Sequence, residues 1–121
     1  MSKGLTCSAD TVRDITPEEV WDIIRGDKKE EYLFVDVRTP AEYKEEHLRG
    51  AMFIPLNELD RRYSELDRQK KIITYCRSGR RSMEGAILLC NYAFLEATNT
   101  SIGNKDLSIT TRFHVTGLHN K

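Results

Sequence analysis

Ile72-Ile73-Thr74-Tyr75-Cys76-Arg77-Ser78-Gly79-Arg80-Arg81-Ser82 is the stretch whose pattern decides the fold. Ile72 to Tyr75 is short, apolar and β-prone, as a strand buried on both faces must be. It runs directly into a polar turn, Cys76 to Ser82, and then into Met83 to Phe94, whose Ala86, Ile87, Leu88 and Leu89 predict a largely buried helix. Strand, glycine-bearing turn and helix in that order bring successive backbone N–H groups around one point at the helix N-terminus, a geometry that binds anions.

The same alternation extends in both directions. Upstream, Thr16-Pro17-Glu18-Glu19 combines a capping residue, a proline at the first helical position and a glutamate at the third. Val20, Trp21, Ile23 and Ile24 then lie along one side of a helix that Gly26 ends. Tyr32 to Val37 is a second buried-strand pattern, and Thr39-Pro40-Ala41-Glu42 repeats the helix-start signal. Ala51 to Ile54 reads as a short strand closed by Pro55, and Leu59, Tyr63 and Leu66 give Asn57 to Leu66 the spacing of a one-sided helix. Short buried strands alternating with helices predict an α/β fold with a mostly parallel sheet and sites at the carboxyl ends of its strands.

Composition sets the outer bounds. A length of 121 residues suits one domain with a real core. Nineteen basic residues balance nineteen acidic ones, so no global field favours nucleic acid or an anionic membrane. Met1 to Asp10 lacks the apolar run of a secretory leader, and the expectation is a cytoplasmic protein. The three cysteines, Cys7, Cys76 and Cys90, are an odd number without paired metal spacing, which argues against a disulfide framework and a zinc site. Cys7 is expected to lie exposed in a polar segment, Cys90 to fill core, and at least one thiol to be free.

Cys76 heads the turn, and three arginines, Arg77, Arg80 and Arg81, follow it within the turn. The helix dipole, the amides and the guanidinium groups all favour a thiolate there, so the sulfur should be nucleophilic near neutral pH. Gly79 permits positive φ, and the guanidinium forks suit a sulfonate, phosphate or carboxylate; the substrate should be a small anion. No histidine adjoins Cys76, which leaves activation to the loop.

Three segments together resemble the rhodanese-like domain family: Val35-Asp36-Val37-Arg38-Thr39-Pro40-Ala41-Glu42-Tyr43, Glu46-His47-Leu48-Arg49-Gly50-Ala51 with Ile54-Pro55, and Ile73 to Ser82. The resemblance runs from about Ile15 to Phe94. It implies a flavodoxin-like, three-layer fold on a five-stranded sheet, and single-domain thiosulfate sulfurtransferase activity. Cys76 would carry sulfane sulfur as a persulfide from a donor such as thiosulfate to cyanide or a thiol, a protein thiol among them. Arg77, Ser78, Gly79, Arg80, Arg81 and Ser82 would bind the persulfide and donor; Asp36 and Arg38 would support the loop from their strand end. No metal or organic cofactor is implied. A phosphatase or arsenate reductase on this fold would need arginine six positions after the cysteine, where Ser82 stands, and a catalytically silent binding or regulatory module remains the alternative of another class.

Beyond Phe94 the resemblance fades. Thr98 and Thr100 stand where larger apolar residues are expected, so the last strand should be weak or replaced by the alternating segment Leu107 to Val115. A short helix-to-strand connection favours insertion of Leu95 to Thr100. The organisation read from the sequence is an extension over 1–14, a rhodanese-like domain over 15–103 and an atypical C-terminal extension or edge strand over 104–121.

Overall fold

The structure, a computed structural model, describes residues 6–103 and 115–117. Its sheet has five strands, all parallel, in the spatial order β1 (Arg13–Ile15), β6 (Thr98–Ser101), β5 (Lys71–Cys76), β2 (Tyr32–Asp36) and β4 (Met52–Phe53). Four helices connect them: α1 (Pro17–Arg25), α2 (Pro40–Glu45), α3 (Leu56–Arg62) and α4 (Arg80–Asn91). A separate antiparallel ribbon joins β3 (Glu46–Leu48) to β7 (Val115–Gly117). Of the alternating segment Leu107 to Val115, only Val115 lies among the described residues, where it opens β7.

Local chemistry starts the helices where the sequence says it should. Thr16 and Thr39 each accept an N–H from the glutamate three residues on, and Glu19 and Glu42 each return to the cap backbone at 2.9 Å. Side-chain alternation then makes two cores. Along β5, Ile72 and Cys76 face Val35, Val37, Leu59 and Leu89, while Ile73 and Tyr75 face Ile15, Val20, Ile24 and Leu48. Fully covered Ile and Val side chains on both faces of a parallel sheet are what drive the chain into three layers.

β6 inserts between β1 and β5 despite its sequence, Thr-Asn-Thr-Ser. Hydrogen bonds do what apolar packing does elsewhere. Thr100 donates to the Ile15 carbonyl at 2.8 Å, Asn99 to Asp14 Oδ1 at 2.8 Å, and Thr98 to the Glu96 carbonyl at 3.1 Å. Buried polar groups are tolerated when partnered in this way. The strand is therefore weak in composition and intact in place.

Two details differ from the sequence reading. α4 begins at Arg80, so Arg80, Arg81 and Ser82 form its first turn, ahead of the expected start at Met83. Cys7 and Cys90 form a disulfide with Cα atoms 6.1 Å apart, and Cys76 is the free cysteine. Cys7 is thus bonded and half-buried, its N–H donating to Asn91 Oδ1 at 2.7 Å, and Cys90 is a bridge as well as core. The odd count failed as an argument because it treated the cysteines as one pool; two pair and the third stays a thiol.

Candidate active site

Cys76 is the last residue of β5, opposite Ser101 of β6. The chain turns at Gly79, whose φ of +86° lies in the left-handed region; a Cβ there would meet the Ser101 Cβ at 3.3 Å. From this turn the Gly79 N–H donates to Cys76 Sγ at 3.1 Å and the Ser82 N–H at 3.4 Å. The Ser82 hydroxyl stands 3.3 Å from the sulfur and 3.2 Å from the Thr100 carbonyl. With one proton to give, that hydroxyl serves the sulfur when it is a thiolate and the carbonyl when it is a thiol.

Burial alone pushes the Cys76 thiol up. The Ser82 hydroxyl and the amides of Ser82, Gly79 and Arg81 outweigh it, and the thiol falls below its ordinary value. The Ser82 hydroxyl and these amides are the largest contributions in favour of the thiolate, and the Arg81 guanidinium interacts with it through charge.

The amide of Arg81 faces the sulfur, but the guanidinium of the same residue donates twice to Glu42, at 2.9 Å to Oε1 and 3.1 Å to Oε2. Arg77 and Arg80 are exposed and form no ion pair among the described residues. Glu42 is held down from 4.5 to about 2, chiefly by the Arg81 hydrogen bonds. A depressed carboxylate stabilises the fold above its unfolded value and loses that contribution as pH falls through the folded one. Glu42→Gln should therefore melt below the wild type at pH 7, by about 0.5–1 kcal/mol because both side chains reach water. The two melting curves should converge as pH falls from 4.5 toward 2. A gap that persists at the acid end would mean that the ion pair is not its source.

Asp36 and Arg38 lie beneath the strand ends, 0% and 4% exposed. Arg38 Nε and a terminal nitrogen hold the two Asp36 oxygens at 2.8 and 2.7 Å. Tyr75, the residue before Cys76, donates its hydroxyl to Asp36 Oδ2 at 2.9 Å and accepts the Leu48 N–H at 3.1 Å. The pair thus reaches the site through the neighbouring tyrosine, on the sheet face opposite the sulfur. His47 sits beside this network, with Nδ1 2.7 Å from the Tyr43 carbonyl and its ring stacked on Tyr43.

Cys76 itself has no exposed surface. A persulfide would carry its reactive sulfur about 2 Å beyond Sγ, the length of an S–S bond. Sequence reasoning did not single out Glu42, Tyr75, Asp14 or Asn99. Each meets the site through a partner remote in the chain, and only Glu42 left a signal, as the acid closing the α2 capping box. Among the described residues no group of side chains could hold a metal ion.

The site is thus a free cysteine under converging amides at the carboxyl edge of a parallel sheet. The family model for the rhodanese-like domain matches residues 16–107, and the chain belongs to that family. It is 32% identical over 78 residues to the thiosulfate sulfurtransferase PspE of Escherichia coli (strain K12), covering 63% of this chain and 74% of that protein. It is 35% identical over 80 residues to YrkF of Bacillus subtilis (strain 168), covering 66% of this chain and only 43% of that protein. The crystal structure of a rhodanese-related protein from Thermoplasma volcanium superposes with a TM-score of 0.70 at 25% identity, covering 86% of this chain and 97% of that one. Among the described residues no helix is long and apolar enough to cross a membrane.

Proposed function

We propose that the chain is a thiosulfate sulfurtransferase that carries sulfur as a persulfide on Cys76. The Cys76 thiolate attacks the outer sulfur of thiosulfate; a new S–S bond forms, the S–S bond of the donor breaks, and sulfite leaves with the electron pair. A thiophilic acceptor, cyanide or a thiol, then attacks the outer sulfur and the thiolate returns as leaving group. The amides of Gly79, Arg81 and Ser82 and the Ser82 hydroxyl stabilise negative sulfur at both ends of the cycle. Arg77 and Arg80 draw the donor anion, while Asp36 and Arg38 steady the strand end through Tyr75.

The observation that carries this reading is the convergence of the Gly79 N–H, the Ser82 N–H and the Ser82 hydroxyl on one sulfur at 3.1–3.4 Å. Mass spectrometry of the intact protein after thiosulfate treatment should show the mass of one added sulfur, removed again by cyanide. No adduct would sink it. The complete burial of Cys76 favours a second reading, a silent binding module. In that case the buried thiol would resist alkylation and take up no sulfur.

A further inference from the structure

Asn99 sits in the middle of β6 and is 5% exposed. Its Nδ2 has two protons. One goes to Asp14 Oδ1 at 2.8 Å, and the other to the Gly79 carbonyl at 3.3 Å. Its Oδ1 is buried with no hydrogen-bond partner among the described residues. Turning the amide over would set that oxygen against the Asp14 carboxylate and the Gly79 carbonyl, so the two donor bonds fix its orientation. A buried acceptor left unmatched is costly, and such a residue calls for an explanation beyond packing.

Gly79 supplies the shortest hydrogen bond to Cys76 Sγ, and because glycine is free to adopt many backbone conformations, contacts and not local sterics must fix its orientation. A hold on its carbonyl constrains the rotation that aims its N–H. We propose that Asn99, anchored by Asp14, is a positioning residue of the sulfur cradle: it holds the Gly79 carbonyl so that the Gly79 N–H stays directed at Cys76. This rests on the reading of Cys76 as the nucleophile. The charged groups near the thiol, Arg81 with its partner Glu42, lie on other elements and are untouched by changes at position 99.

The experiment measures iodoacetamide alkylation of Cys76 against pH in the disulfide-intact protein, where Cys76 is the free thiol, alongside kcat and KM for thiosulfate. Asn99→Val should raise the alkylation midpoint by about half a pH unit, a threefold loss of thiolate at pH values well below the midpoint. Its kcat should fall by a similar factor while KM stays within about twofold. Thr98→Val, on the same strand but with a side-chain hydroxyl that bonds the Glu96 carbonyl and not the cradle, should leave the profile in place. A midpoint for Asn99→Val that coincides with wild type, or one matched by Thr98→Val, overturns the proposal. Should Asn99→Val fail to fold, Asp14→Ala decides: a smaller shift in the same direction supports the anchoring, and an unshifted profile overturns it. Because alkylation reads the thiol directly, a shifted profile without sulfur uptake would defeat the transfer reading alone, and uptake with an unshifted profile would defeat the positioning role alone.

Discussion

Cys76→Ala is expected to take up no sulfur from thiosulfate and to form no thiocyanate from cyanide, a loss of at least about a thousandfold in rate. Among the described residues no other thiol can stand in. Cys7 and Cys90 are tied to each other, and the Nδ1 of His47 faces the Tyr43 carbonyl. The variant should still fold, because position 76 belongs to the apolar cluster that includes Val35, Val37, Ala86 and Leu89, where a methyl group is at home. It leaves the amides of Gly79 and Ser82 without their acceptor, at about 1–3 kcal/mol. A thermal melt beside the sulfur assay separates the two effects: a folded variant that still turns over thiosulfate would remove Cys76 from the mechanism.

Breaking the Cys7–Cys90 bridge should have the largest effect on stability. It spans 83 positions of sequence, and closing a loop of that size removes unfolded-chain entropy equivalent to about 4.5 kcal/mol at 25 °C. The bridge also fastens the segment before β1 to the end of α4, where Cys7 N–H meets Asn91. Reduction, or the double variant Cys7→Ser with Cys90→Ser, should lower the melting temperature by roughly 10–20 °C for a chain of this length. Thiol titration of the oxidised, unfolded protein should find the single free cysteine, Cys76. Coincident melts before and after reduction would show that the bridge carries no stability.

What the sequence revealed was local. Thr16 with Glu19 and Thr39 with Glu42 announced their helices because each cap and its partner lie three residues apart. Ile72 to Cys76 announced a buried strand because periodicity is a property of neighbours. The cradle was legible for the same reason, since its donors and its sulfur lie within one short turn. The partners that finish the site were not: Arg81 with Glu42 and Tyr75 with Asp36 are each 39 residues apart, and Asn99 reaches back 85 to Asp14. Side-chain type says that Glu42 will seek a cation, and only the fold says which one. Arg81 shows this best, because its guanidinium turns to Glu42, on a helix far away in the chain.

The covered position of Cys76 bears on how long such a protein lasts in use. Oxidation of a thiolate past the sulfenic stage is for most proteins permanent, and its rate follows access. A sulfur roofed by its own turn is vulnerable only in the intervals when that turn loosens to admit a reactant. If Cys76 carries sulfur, the frequency with which that cover opens would set both the pace of turnover and the working lifetime of the molecule.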